Sequence, residues 1–225
     1  MNSLRLDRVA IKKIAEELRS GKSIARAFVN LAASQVELSG QLIDLGSKST
    51  KASYHRSLKF REPYQITFTD VKASEPGIIE LDLERSLPLS DESYDAVLCF
   101  NLLEHIFNFQ AALQEIFRIL KSGGRLIGSV PFLVNFHPDP NDYFRYTHQA
   151  LEQLMKQAGF SQVTITYLGL GPLTSGLNLR LSLWPAVLRP LAWRLTCWLD
   201  QQLIKRRPAV GLRYPLSYFF TAQKP

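Results

Sequence analysis

From residue 40 onward the chain alternates short apolar runs with longer stretches of helical period, and no other feature limits its fold so tightly. Gln41-Leu42-Ile43-Asp44-Leu45 is a short apolar strand ending at Gly46. Residues 64–70 are rich in β-formers and end on Asp70. Ile78-Ile79-Glu80-Leu81-Asp82 repeats that design, and residues 94–100 read as a fully buried strand. Residues 107–121 have helical period, and the Gly123-Gly124 pair after them fits a helix C-cap. A strand over 125–131, a helix over 147–159 with Thr147 as its N-cap, and strands over 163–167 and 216–222 complete the pattern. This alternation implies βαβ units and a mostly parallel, doubly wound α/β sheet of Rossmann-like type. Ligands of such sheets bind beyond the C-terminal ends of the strands. Gly46, Asp70, Asp82, Asn101 and Pro131 stand at those ends.

Upstream, residues 4–18 and 23–35 have helical period, and Gly21 separates them. The chain therefore divides into an N-terminal helical cap over 1–37 and a main domain over 38–225. The main domain carries a helical insertion at 176–207 before its last strand. With 225 residues there is room for one core and appendages, and aromatic content of 11% rules out disorder as the main state. Two cysteines, Cys99 and Cys197, cannot form a disulfide framework, which suits reduced thiols and a cytoplasmic protein. The first residues show no secretory leader, and no run approaches the ~20 apolar residues of a membrane span.

The formal charge of +7 is not spread evenly. Residues 176–225 hold eight basic residues against one acid, Asp200, so the body is neutral and the tail basic. A nucleic-acid partner is not expected, since no basic-aromatic track adjoins the strand ends. All three tryptophans, Trp184, Trp193 and Trp198, fall in the same segment. Leu177, Leu181, Trp184, Leu188, Leu191, Leu195, Trp198 and Leu199 recur there near the helical period. Trp and Arg beside a leucine stripe suit a helix lying on a membrane surface, which would make the protein peripheral at the inner face of the membrane. A lid over a substrate pocket or a homodimer surface suits the stripe as well. Pro185 and Pro190 break it into short pieces, which favours a lid by a small margin.

In order, Asp44-Leu45-Gly46, Asp70, Asp82, residues 93–97 (SYDAV), Leu103-Glu104-His105 and residues 120–126 (LKSGGRL) resemble the class I methyltransferases that use S-adenosylmethionine, most of all the type 11 group. The resemblance covers roughly residues 38–170 and the final strand. It implies that Asp44 and Gly46 hold the methionine end of the cofactor and that Asp70 binds the ribose hydroxyls. It places Asp82 and the Leu83 backbone at the adenine, and Asn101 and the residues up to His105 under the sulfonium. The family's loop has three glycines in the pattern D-x-G-x-G-x-G. Here Lys48 and Thr50 replace the second and third. Either the loop takes another course and Lys48 pairs with the methionyl carboxylate, or the domain is a degenerate, non-catalytic binding partner.

Residues 136–147 (FHPDPNDYFRYT) resemble a segment of a methyltransferase subgroup associated with sugar and cell-envelope biosynthesis. That resemblance implies a glycan or other small-molecule acceptor, including a lipid-linked one. His137 is a candidate general base, because imidazole titrates near neutrality, and His105 is a second candidate for the transfer site. Asp142, Arg145 and Tyr146 are candidates for binding the acceptor. A purely structural segment, with an Asp142–Arg145 ion pair, accounts for the same residues, and Glu104 with His105 would tie the loop to its neighbours. No metal is expected, since neither histidines nor cysteines show ligand spacing such as C-x-x-C or H-x-x-x-H.

Overall fold

The computed structural model describes residues 2–4, 6–47, 49–73 and 75–225. Among them one eight-stranded sheet runs in the order β1-β7-β8-β6-β5-β2-β3-β4. In chain order the elements are β1 (Asn2–Ser3), α1 (Arg8–Arg19), α2 (Ile24–Ala33), β2 (Glu37–Leu45), β3 (Lys59–Asp70), β4 (Ile78–Glu80) and β5 (Tyr94–Phe100). After them come α3 (Phe109–Ile119), β6 (Leu120–Pro131), α4 (His148–Gln157), β7 (Ser161–Gly169), α5 (Pro172–Leu179), α6 (Arg189–Arg206) and β8 (Pro215–Gln223). All neighbouring strands are parallel except β8, which runs antiparallel between β6 and β7.

The two faces of the sheet bury different helices. Side chains alternate across a strand, so Leu42 of β2 joins a core with Phe28 of α2, Leu177 of α5 and Trp193 of α6. Its neighbour Ile43 joins the opposite core, with Ile116 of α3 and Met155 of α4. Side-chain caps set the helix starts: Asp7 accepts from the Ala10 N–H, Ser23 from Arg26 and Thr147 from Ala150. The expected strands and helices are present, with several strands longer than their apolar runs. Strand β3, for instance, begins five residues before Tyr64, and those residues are mostly exposed.

Two features differ from expectation. The helix ends at Ile119, and Leu120 is already extended, so Gly123-Gly124 does not cap it. The pair sits in a bulge within β6, where the register against β5 slips between Tyr94 and Ala96. A Cβ on Gly124 would stand 2.8 Å from the Lys121 carbonyl oxygen, so glycine is required by close backbone approach. Second, helices do not supply the early crossovers. The connections 46–58, 71–77 and 81–93 contain no helix among the described residues. Helices α1, α2, α5 and α6 form the layer on one face instead. Helix α6 buries Trp193 and Cys197 inward, and Asp200 accepts from the Leu173 and Thr174 N–H groups at the start of α5. No described helix is long and apolar enough to cross a membrane.

Candidate active site

A cleft of about 220 Å³ opens at the C-terminal ends of β2, β3, β4 and β5. Its wall begins at Leu45 and Gly46. The turn there is held by the Ser47 N–H on the Thr69 carbonyl, 2.9 Å, and by the Thr69 hydroxyl on the Asp44 carbonyl, 3.1 Å. Gly46 has φ +65°, which favours glycine, and a Cβ there would press on the Leu102 side chain at 2.7 Å. Asp70 and Asp82 line the next two strand ends, with Leu81 and Leu83 between them as apolar wall. Asp82 accepts from the Glu84 N–H and pairs with Arg85. Asn101 supplies the floor with φ +51°, a conformation that asparagine tolerates better than most residues. Ser129 on β6 fixes it, through its carbonyl to the Asn101 N–H and its hydroxyl to Oδ1 at 2.6 Å.

Asp44 does not line this cleft. Strand alternation turns Leu45 toward it and Asp44 to the opposite face, where its carboxylate is fully buried. The Tyr54 hydroxyl donates to Oδ2 at 2.9 Å and His55 Nε2 also contacts it, while Oδ1 has no hydrogen-bond partner among the described residues. Burial pushes the Asp44 carboxyl up, against the opposing pull of His55 and Tyr54. Lys48 lies outside the described residues. Thr50, at the third glycine position, gives its N–H and hydroxyl to Glu75, and these bonds hold the Glu75 carboxyl low.

The far end of the cleft is built by two segments that follow adjacent strands. His105 and Ile106 come from the turn after β5, and Asp139, Pro140 and Asn141 from the segment after β6. The residues of that segment singled out from sequence are turned elsewhere. Asp142 accepts from the His137 N–H at 3.0 Å and from both terminal nitrogens of Arg145, and that ion pair holds its carboxyl very low. Tyr146 is buried with its hydroxyl on the Leu103 carbonyl. Asp142, Arg145 and Tyr146 therefore brace the segment, and none of them lines the cleft. His137 does not line it either. It faces Glu104, whose carboxylate, foremost among its neighbours, raises the imidazole above its ordinary value.

The insertion does not close over the cleft, because no described residue between 172 and 212 is part of its lining. Sequence reasoning missed Glu84, which lines the cleft and accepts from the Phe107 N–H at 2.6 Å. It also gave Glu104 only a tying role, although that residue is fully buried behind His105. A charged side chain a few residues past a strand end, on the ligand side of the sheet, was the available signal.

Comparisons with known proteins agree with this geometry. Residues 35–128 match the type 11 "Methyltransferase domain" family model. A Mycolicibacterium smegmatis protein, "Probable S-adenosylmethionine-dependent methyltransferase", is 32% identical over 103 residues, 43% of this chain and 40% of that one. A S-adenosylmethionine-dependent methyltransferase structure from Archaeoglobus fulgidus superposes with TM-score 0.56 at 13% identity, covering 93% of this chain and 98% of the other. The [4+2]-cyclase SpnF superposes equally well, TM-score 0.56 at 18% identity, over 88% and 81%. The chain spans less than half the length of the first curated relatives it matches. The fold, the strand-end residues and the family match over residues 35–128 are similar to those of the class I S-adenosylmethionine-dependent methyltransferases. The cofactor of that class is S-adenosylmethionine, and the donor set fits it: two carboxylates for hydroxyl and amine donors, an apolar wall, and a glycine where a side chain would intrude.

Proposed function

We propose that this protein transfers a methyl group from S-adenosylmethionine to a small-molecule acceptor. The observation that carries this reading is the convergence of Asp70 and Asp82 on one cleft with Gly46 and Asn101. Asp70 would take the ribose hydroxyls, Asp82 and the Leu83 backbone the adenine, and Gly46 and Lys48 the methionyl end. The cofactor, when bound, supplies an electrophilic methyl group. The chain's own part is alignment and exclusion of water, and a protein nucleophile is not required. The acceptor enters past His105 and residues 139–141, so its nucleophile meets the cleft beside the cluster of Glu104, His105 and His137. Calorimetry tests the assignment: Asp70→Ala weakens S-adenosylhomocysteine by about 1.5–3 kcal/mol in a folded protein. Wild-type affinity in that variant would overturn the ribose assignment. If wild-type protein binds neither cofactor nor product at millimolar concentration, a non-catalytic partner on this fold is the better account.

The acceptor class we infer is a lipid-linked glycan, reached from a membrane surface. Helix α6 carries large apolar side chains on its exposed face as well as its buried one, which a helix covered on one side only does not need. Leu191, Leu195 and Trp198 are exposed at helical spacing, Trp198 by 56%, and Leu183 and Val187 precede them. Arg194, Lys205, Arg206 and Arg207 stand exposed around this face, which suits an anionic surface. The end of α5 touches the segment after β6, which carries residues 139–141, through Asn135 Nδ2, 3.0 Å from the Leu179 carbonyl. Anionic vesicles should sediment the protein and shift its tryptophan emission to the blue. Changing Lys205, Arg206 and Arg207 together to Gln should remove about 1 kcal/mol per charge, and added salt should do the same. Dimerisation in solution without vesicle binding would assign this face to a second copy.

A further inference from the structure

We propose that Glu104, His105 and His137 form a binding site for a divalent transition-metal cation against the wall of the cleft. Glu104 and His105 lie in the short turn Leu103–His105 after β5, and His137 lies in the segment after β6. Those strands are neighbours, so the two segments face each other across their C-terminal ends. His105 Nε2 and His137 Nε2 each stand 3.8 Å from Glu104 Oε1, and the three donor atoms lie within 4.8 Å of one another. Ligands at about 2.0–2.2 Å from a shared cation are separated by roughly 3–4 Å, so the cluster is within a small side-chain adjustment of coordination.

Two observations independent of that proximity point to a ligand. The Glu104 carboxylate is 0% exposed, and neither of its oxygens has a hydrogen-bond partner among the described residues. A carboxylate so placed is costly unless something cationic completes it. Both histidines also turn Nε2 toward Glu104, with Nδ1 engaged by a backbone carbonyl. His105 Nδ1 meets the Asn141 carbonyl, and His137 Nδ1 meets the Asn135 carbonyl at 2.9 Å. A carbonyl can only accept, so each Nδ1 carries a proton and each Nε2 on the Glu104 side is the nitrogen that a metal would take on displacing any proton there. The frame is fixed as well, because the Tyr143 and Phe144 N–H groups donate to the Glu104 carbonyl, binding the second segment to the first.

Two imidazoles and one carboxylate select first-row transition cations, Zn²⁺ among them, over Mg²⁺, which prefers all-oxygen coordination. Three protein ligands leave open positions, and His137, 41% exposed at its side chain, provides access from solvent. His105 belongs to both the cluster and the cleft wall. An acceptor hydroxyl bound to the cation would release its proton to solvent more readily, with the oxygen keeping the electron pair for the incoming methyl carbon. That role, unlike the site itself, rests on the methyl-transfer reading.

The test uses the full chain stripped by a chelator and then titrated. One Zn²⁺ per chain should bind by calorimetry, Co²⁺ should give visible absorption bands, and Mg²⁺ should give neither response. Glu104→Gln and His137→Ala should each weaken Zn²⁺ about tenfold or more. His148→Ala should bind as wild type, since His148 is engaged with Tyr167 elsewhere. If Glu104→Gln does not fold, His137→Ala, at a half-exposed position, decides alone. No saturable Zn²⁺ binding by wild type, or unchanged affinity in His137→Ala, overturns the site. S-adenosylhomocysteine affinity is measured on the same samples. Metal binding without it would retain the cation site and remove methyl transfer, and the reverse outcome would do the opposite.

Discussion

The sheet has two unlike wings. On one, β5, β6, β7 and β8 are connected through α3, α4 and the pair α5–α6; β5, β6 and β8 are buried over most of their length, and β7 at the flank is buried only near its end. On the other, β2, β3 and β4 are joined by segments without helices among the described residues, and β3 is exposed or half-exposed over most of its length. The cleft lies on the second wing and along its seam with β5. Burial supplies stability roughly in proportion to apolar area removed from water, so the helix-wound wing and the inner strand β2 hold the fold together. The loop-connected wing leaves strand ends and backbone groups accessible, which a ligand site needs and a core does not tolerate. Stability and recognition are thus separated along one sheet.

That division can be broken by measurement. The largest effect expected is from Phe220→Ala. Phe220 is fully buried in the centre of β8, and its loss should cost about 3–5 kcal/mol in urea unfolding. Next, S-adenosylhomocysteine at 100 times its Kd should raise unfolding stability by about 2.7 kcal/mol. Its hydrogen-exchange protection should fall on segments 46–58 and 71–85 rather than on β6 and β8. Protection spread evenly over both wings would end the comparison. Asp200→Ala should cost about 1–3 kcal/mol, because it leaves the first N–H groups of α5 unpaired in a buried place. Phe60→Ala, on the half-exposed strand β3, should cost about 1 kcal/mol or less. A loss there matching that of Phe220→Ala would show that the second wing carries core-like packing.

The wings also differ in how well the sequence revealed them. Period and caps located α3 and α4, since an amphipathic helix against a sheet writes both into its residues. The strand ends Gly46, Asp70, Asp82 and Asn101 were legible because topology alone puts them together. The crossovers were not legible, because turns carry no period, and β3 is longer than its apolar run because ladder hydrogen bonds, not burial, hold its first half. Asp44 was misplaced by one step of the pleat, a distinction that depends on which face a loop later covers. Asp142 and Arg145 were candidates for a ligand, with their mutual ion pair the favoured reading. Only the geometry shows each engaged with the other. The Glu104–His105–His137 cluster was invisible to spacing rules because its members come from two segments 32 positions apart that meet only through the pairing of β5 and β6.

Strand β8 fills the middle of the sheet, between β6 and β7, although it is made after both. During synthesis β6 and β7 therefore appear first with a gap between them, and residues 170–214 must follow before the gap can close. At about 5–20 residues per second that interval is on the order of a few seconds. Two facing strand edges with unpaired N–H and C=O groups stand open for that time, a template for pairing with other nascent chains. A cell making this protein has to shield a temporary slot in the centre of its sheet, and the demand ends only when the last strand is threaded in.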